Sequence, residues 1–232
     1  MKILSIDTSA SICAAALCED KELLQSACLD TGNTHSETLL PAIEEILSRA
    51  GITASDIDLF ACTTGPGSFT GVRIGVATLK GLAFGKNIPC VGLSSLEALA
   101  KNARELDGII CPVMDARRDH VYNALFRCER GCITRLCEDR LTPISELDSE
   151  LSKINSPIYL VGDAYGLCMR KFSAASVSDT PESIRDANGH SVALCALEKY
   201  LRGEFVSDFE IAPVYLRPSQ AERERLEKEN KI

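Results

Sequence analysis

The chain has 232 residues, of which 45% are hydrophobic and only 5% aromatic, so it is long enough to bury a core built mainly from small aliphatic side chains. Its formal net charge of -8 argues against direct nucleic-acid binding, because neutralising phosphates requires basic side chains. The eleven cysteines form no CxxC pair, and Asp7 interrupts the first apolar run before a secretory signal can develop, so we expect a cytoplasmic protein with reduced thiols. No apolar run is long enough to cross a bilayer, so we expect no membrane role.

Three short β-type runs open the chain, at residues 3–6, 12–18 and 23–29, with turn-forming residues between them. Residues 36–49 then have the periodicity of an amphipathic helix, which Gly51 ends. The predicted elements that follow are a buried strand at 59–63, a glycine-rich loop at 65–71, a helix to about residue 84, a strand at 88–93 and a helix from Ser95.

The same order of elements begins again at Ile109. Its predicted elements are strands at 109–114, 121–127, near 132–137 and 158–161, a turn at 162–166 and a helix near 192–201. Two tandem units of this kind predict an α/β fold made by duplication of one architecture. We expect subdomains at 1–105 and 106–217, followed by a charged tail at 218–232.

The glycine-rich loop Gly65-Pro66-Gly67-Ser68-Phe69-Thr70-Gly71 is the most unusual stretch of the sequence. Glycines permit close backbone approach, and the free N–H groups of the following helix suit a phosphate or a carboxylate. The loop matches neither of the common phosphate-binding patterns, and such turns also serve packing alone. Both interpretations stay open from the residues themselves.

The helix after this loop repeats small residues at four-residue intervals, at Gly71 and Gly75 and again at Ala77, Gly81 and Gly85. Such spacing lets another helix approach closely. Internal packing would explain the pattern, but the helix is apolar nearly all round and therefore needs burial on more than one side. A subunit interface would provide that burial.

Asp7 and Asp115 each follow the first strand of one unit, so they could hold a metal-bound phosphate in an ATP-dependent small-molecule kinase. Structural aspartates in turns are the alternative. None of His35, His120 and His190 has partners at metal-ligand spacing. The cluster of Cys128, Cys132 and Cys137 is interpreted as small half-buried hydrophobes rather than as a metal site.

Four segments together resemble the TsaB (YeaZ) family; they are residues 3–9, 35–41, 65–75 and 213–217. The resemblance runs to about Arg217 and is strongest in residues 1–105. It implies a duplicated ASKHA (actin-like ATPase or ribonuclease H-like) fold. It also implies a non-catalytic scaffold in the synthesis of threonylcarbamoyladenosine at position 37 of tRNA, where the partners are the catalytic paralogue TsaD and the ATPase TsaE.

The metal-binding histidines of the TsaD family fall on Ser95 and Leu99 of this chain. The resemblance therefore implies no metal, no catalytic residue and no cofactor, apart from weak nucleotide binding at a subunit interface. The residues that could form such a nucleotide or anion site are Asp7, Thr8, Ser9, Gly65, Gly67, Ser68, Asp115 and Gly162.

In the family, the first two helices contact those of TsaD, or those of a second TsaB when TsaD is missing. One patch can serve both a homodimer and a pseudo-symmetric heterodimer. The predicted interface residues are Leu39, Leu40, Ile43, Ile46, Leu47, Gly71, Ile74, Gly75, Ala77, Thr78, Gly81 and Leu82.

Overall fold

The computed structural model describes residues 1–30 and 34–217. The first half of the chain forms, in order, β1 (Lys2–Asp7), β2 (Cys13–Glu19), β3 (Glu22–Leu29), α1 (His35–Ala50), β4 (Leu59–Gly65), α2 (Phe69–Ala83), β5 (Cys90–Ser94) and α3 (Ser95–Asn102). The strands form one sheet in the order β3-β2-β1-β4-β5. The first three are antiparallel and connected by short loops, whereas β4 and β5 run parallel to β1.

The second half repeats this plan. Its elements are β6 (Gly108–Asp115), β7 (His120–Asn123), β8 (Phe126–Glu129), β9 (Cys132–Arg135), β10 (Arg140–Pro143), α4 (Ile144–Leu151), β11 (Ile158–Val161), α5 (Tyr165–Lys171) and α6 (Gly189–Leu201). Both β7 and β8 pair antiparallel with β6, so together they take the place of β2, while β9 and β10 take the place of β3. On its other side β6 pairs with β11 in parallel, as β1 does with β4. The predicted duplicated ASKHA fold is confirmed.

Helices cover both faces of the first sheet. Leu4 and Ile6 of β1 point to one face, where they pack with the buried residues of α1 and α2. Ile3 points to the opposite face and packs with Val192 and Leu197 of α6. Because both faces are covered, β1 is buried at every position but its first and β4 at every position, as strands inside a parallel α/β sheet are.

The packing of α6 corrects the predicted domain boundaries. Residues 106–217 are assigned by sequence to the second subdomain, but α6 contacts the first sheet. The close approach depends on Gly189, where a Cβ atom would lie 2.6 Å from the backbone of Ala15 and Ala16. Ser5 Oγ also donates a 2.7 Å hydrogen bond to the Gly189 carbonyl. The second subdomain therefore spans about residues 106–188, and the chain then returns to the first.

Residues 206–217, here called the strap, follow α6 and stay with the first subdomain. Val206 exchanges two backbone hydrogen bonds with Cys90 at the edge of β5, and Ile211 is buried in the core beneath. Val214 N–H donates to the Thr64 carbonyl at the end of β4. The charged tail predicted at 218–232 lies outside the described residues.

The helix α3 lies between the two sheets. Ala98 packs with the first sheet and α6, whereas Leu96, Leu99 and Ala100 pack with the second sheet. Within the described part of the chain, no helix is long and apolar enough to cross a membrane.

Candidate functional site

A cleft of about 640 Å³ separates the two subdomains at the ends of β1, β4 and β6. The first subdomain contributes the turn after β1 and the glycine-rich loop, and the second contributes the turn after β6. The strap forms part of the wall. The polar and charged side chains in this lining are Ser9, Ser11, His35, Ser68, Asp115, Arg117, Arg118, Tyr122, Asp163, Tyr215 and Arg217.

Asp7 lies behind this wall rather than in the cleft. Its side chain is buried, and Oδ1 accepts hydrogen bonds from Ser9 N–H, Ser9 Oγ and Thr63 Oγ1 at 2.9, 2.6 and 2.8 Å. The second oxygen, Oδ2, has no partner among the described residues. Burial raises the pKa of the Asp7 carboxyl although these donors oppose the shift. In this position Asp7 holds the Ser9 turn and does not reach a ligand in the cleft.

The glycine-rich loop is engaged by the protein's own backbone. Ser68 N–H donates to the Ser9 carbonyl at 2.7 Å, and Ser68 Oγ accepts from Gly71 N–H at the start of α2. A Cβ atom at Gly65 would lie 2.5 Å from the Val214 carbonyl oxygen of the strap. The glycines at 65 and 67 thus provide space for the strap and for the Ser9 turn.

The wall of the second subdomain is formed by the turn after β6. Asp115 Oδ1 accepts from Arg117 N–H at 2.7 Å, and Oδ2 pairs with the Arg117 guanidinium at 3.1 Å. Asp163 lies beside it and accepts from Asp115 N–H at 3.0 Å. Residues 117–119 all have positive φ, which places two arginines at the edge of the cleft. The charges here are mixed rather than uniformly basic.

The eight predicted nucleotide or anion residues therefore divide into two groups. Ser9, Gly67, Ser68 and Asp115 line the cleft, whereas Asp7, Thr8, Gly65 and Gly162 are buried behind it. The Gly162 N–H donates to the Arg185 carbonyl at 2.6 Å. For the buried four, direct ligand contact is corrected to a structural position, because neighbouring protein atoms surround them.

Ser95 and Leu99, the positions at which the resemblance implies that metal-binding histidines are replaced, are both buried in α3. Ser95 is fully buried, and Leu99 packs in the core of the second subdomain. Residues 1–30 and 34–217 contain no group of three or more His, Cys, Asp or Glu side chains that could hold a metal ion. Cys128 donates to the Arg104 carbonyl, Cys132 is exposed, and Cys137 accepts from Leu125 N–H.

The three histidines each contact a backbone carbonyl. The His35 ring contacts the Ala10 carbonyl at 2.8 Å, the His120 ring that of Arg118 at 2.7 Å, and the His190 ring that of Lys21 at 3.0 Å. These contacts join turns to neighbouring elements.

The predicted partner interface also divides into two groups. Leu39, Ile43, Ile46, Leu47, Gly71 and Gly75 are buried in the core of the first subdomain. At Gly71 and Gly75 a Cβ atom would collide with Thr8, so these glycines admit the turn after β1 and not a second helix. Their assignment to a partner surface is corrected for this reason.

The other six predicted interface residues reach the surface; they are Leu40, Ile74, Ala77, Thr78, Gly81 and Leu82. Leu40 is 45% exposed, and a Cβ atom at Gly81 would meet nothing within 4 Å. These six residues, with the two phenylalanines described next, are called the helix-pair face.

Phe84 and Phe209 extend this face and were not among the predicted interface residues. They are 67% and 75% exposed, and their rings meet edge to face with centroids 6.3 Å apart. Lys80 Nζ donates to the Phe209 carbonyl at 3.0 Å, which ties the strap to α2. The sequence shows Phe84 at the end of the helix, but the position of Phe209 depends on the return of the chain after α6.

The two halves share one strand order and are separated by a cleft. These features define a protein of the duplicated ASKHA class. A family model described as "TsaD: tRNA N6-adenosine threonylcarbamoyltransferase" matches residues 30–224. A Bacillus subtilis (strain 168) relative, tRNA threonylcarbamoyladenosine biosynthesis protein TsaB, is 31% identical over 228 residues, covering 98% of this chain and 99% of the relative. The TsaB protein of Haemophilus influenzae is 30% identical over 225 residues, covering 94% of both chains.

The solved structure "YeaZ from Pseudomonas aeruginosa" is similar, with a TM-score of 0.74 and 26% identity over 93% of this chain and 99% of that one. The chain belongs to the TsaB family of tRNA threonylcarbamoyladenosine biosynthesis proteins.

Proposed function

We propose that this protein is a non-catalytic scaffold in the synthesis of threonylcarbamoyladenosine at position 37 of tRNA. In this role it binds a TsaD-type catalytic subunit and promotes the engagement of a TsaE-type ATPase. The observation that carries the proposal is the exposed apolar helix-pair face on a chain of the TsaB family.

The helix-pair face has the composition of a protein interface. Leu40 is exposed on α1, while Phe84 and Phe209 are two aromatic side chains that a partner could bury. Ala77 and Gly81 are exposed on α2, and their small size allows a partner helix to approach closely. The same face can bind a second copy of the chain about a twofold axis when no catalytic subunit is present.

The positions of two residues favour a scaffold over a kinase. Asp7 is buried with Oδ1 fully engaged, so of the two aspartates expected in the kinase alternative only Asp115 lines the cleft. Calorimetry with Mg-ATP tests that alternative directly. Tight binding that Asp115→Ala abolishes would favour the kinase.

The scaffold proposal is tested by mixing the purified protein with a TsaD-type subunit and a TsaE-type ATPase and measuring threonylcarbamoyl transfer to tRNA. We expect transfer to require this chain. Equal activity when the chain is omitted would contradict the proposal.

The binding surface is tested with Leu40→Glu, which buries a charge if Leu40 enters an interface. We expect affinity for the catalytic subunit to fall at least tenfold, which corresponds to about 1.4 kcal/mol. Leu136→Glu is a matched control, because Leu136 is also 45% exposed but lies between β9 and β10 of the second subdomain. If both variants lose affinity equally, or if neither loses affinity, the helix-pair face is not the surface that binds the catalytic subunit.

A further inference from the structure

The strap touches both subdomains, and its contacts with the first are extensive. Tyr215 stacks on Phe69 with ring centroids 4.6 Å apart, and Arg73 lies 3.8 Å above the centre of the Phe69 ring. Arg73 Nε also donates a 2.7 Å hydrogen bond to the Tyr215 hydroxyl. Together with the Val214 hydrogen bond to Thr64, these contacts attach the end of the strap to the start of α2.

Two residues beyond Tyr215, the strap crosses to the second subdomain. Arg217 Nη1 donates a 2.8 Å hydrogen bond to the Ala116 carbonyl, in the turn after β6. Tyr215, Leu216 and Arg217 all line the cleft. The strap therefore spans the cleft from one wall to the other.

The main contact between the subdomains lies elsewhere. The helix α3 packs against both sheets, and none of its residues lines the cleft. A single packed helix between two rigid bodies permits small rotations about it, as in hinge and shear motions of multidomain proteins. A second attachment away from that helix opposes such rotation.

We propose that the strap is a clamp that holds the two subdomains at one separation, with Arg217 as the tie across the cleft. The clamp is formed within the free chain and depends on no partner, so it is tested independently of the scaffold proposal. The tie can be removed at Arg217, which contacts the second subdomain. It can be weakened at Tyr215, whose stacking on Phe69 positions the end of the strap.

Residual dipolar couplings of backbone amides test the clamp, since they report how two rigid bodies are oriented and averaged relative to each other. The amides of β1 and β4 represent the first subdomain, and those of β6 and β8 the second. For the natural chain we expect one alignment tensor to fit both sets. For Arg217→Ala we expect the common fit to be lost, with one subdomain showing a smaller alignment magnitude than the other.

Arg118→Ala is the matched control, because Arg118 lines the same cleft from the same turn but makes no hydrogen bond or ion pair with the strap among the described residues. It should keep the common tensor. Tyr215→Ala removes the stacking on Phe69 and the hydrogen bond from Arg73 that position the end of the strap, so it should change the common tensor in the same direction as Arg217→Ala. A common tensor of unchanged magnitude in both Arg217→Ala and Tyr215→Ala would overturn the proposal.

Discussion

Two glycines of α2 have opposite environments and predict opposite effects of the same substitution. At Gly71 an added methyl group would collide with the Thr8 carbonyl, whereas at Gly81 it would meet nothing within 4 Å. We expect Gly71→Ala to lower the free energy of unfolding by about 1–3 kcal/mol through overpacking. Gly81→Ala should raise it by about 0.5–1 kcal/mol, because alanine favours helix over glycine.

Urea unfolding followed by circular dichroism measures both effects in one experiment. If both variants were stabilised, the close packing of α2 on the turn after β1 would be wrong. The sequence shows a row of small residues at both positions, but only the structure separates those that face the core from those that face solvent.

The buried carboxyl of Asp7 predicts a pH-dependent effect. Burial raises its pKa in the folded protein, so its contribution to stability is present below the unfolded-state pKa and is lost as pH rises through the folded-state pKa. The amide introduced by Asp7→Asn would keep an oxygen acceptor but would not ionise. We therefore expect the stability of Asp7→Asn relative to the natural chain to increase with pH, by at most about 1.4 kcal/mol per pH unit.

Unfolding free energies at pH 4 to 7 test this expectation, where Glu44→Gln on the exposed side of α1 serves as the control. The expectation would be contradicted if the free energy of unfolding of Asp7→Asn, relative to that of the natural chain, stayed constant or fell as pH rises.

At the scale of elements, Asp148 of α4 organises the segment after α5. Its buried carboxylate accepts hydrogen bonds from the backbone N–H groups of Ser173, Ala174 and Ala175. Burial alone would raise the pKa of Asp148, but these donors lower it below its usual value. The resulting stabilisation is present above the unfolded-state pKa and is lost as pH falls through the lower folded-state pKa.

We expect Asp148→Ala to destabilise the fold by about 1–3 kcal/mol, because it leaves three backbone donors without their acceptor. Amide hydrogen exchange should show faster exchange at residues 173–175 before other parts of the second subdomain. Glu146→Ala on the exposed side of the same helix is the control. Equal exchange at 173–175 in the two variants would contradict this role of Asp148.

Helix α1 could be predicted from sequence, whereas β10 and α4 could not. In α1 the apolar residues recur on one face and Gly51 ends the helix in the left-handed conformation. Residues 140–143 form only a four-residue strand that ends in Pro143, and α4 is an eight-residue helix that starts directly after it. Short elements give little periodicity, so tertiary contacts determine them.

At the scale of the whole molecule, the repetition of one architecture in two units was predictable, but the path of the chain after residue 188 was not. The apolar residues of α6 predict a buried helix, and nothing in them indicates which sheet they cover. The choice depends on the Gly189 contact and on the return of the strap to Cys90. The same return brings Tyr215 and Arg217 into the cleft, so this part of the candidate site could not be predicted from local patterns.

This path predicts which fragments of the chain can fold. Residues 1–105 alone would leave the face of the first sheet that contains Ile3, Ala61 and Val91 without its cover of α6. Asn102 Nδ2 donates to the Asp186 carbonyl at 2.6 Å, so the end of α3 lies next to the residue from which α6 departs. A short Gly-Ser linker can therefore join residues 1–105 directly to residues 187–217.

We expect the linked chain to unfold cooperatively in urea. Residues 1–105 alone should show no cooperative transition, because exposing the apolar face costs more free energy than the net free energy of unfolding of a small domain. In a matched control, the same linker joins residues 1–105 to residues 187–217 with Val192→Asp and Ala196→Asp. Both positions are buried against the first sheet, so the control should behave as residues 1–105 alone. Cooperative unfolding of residues 1–105 by themselves would show that the first subdomain does not need α6.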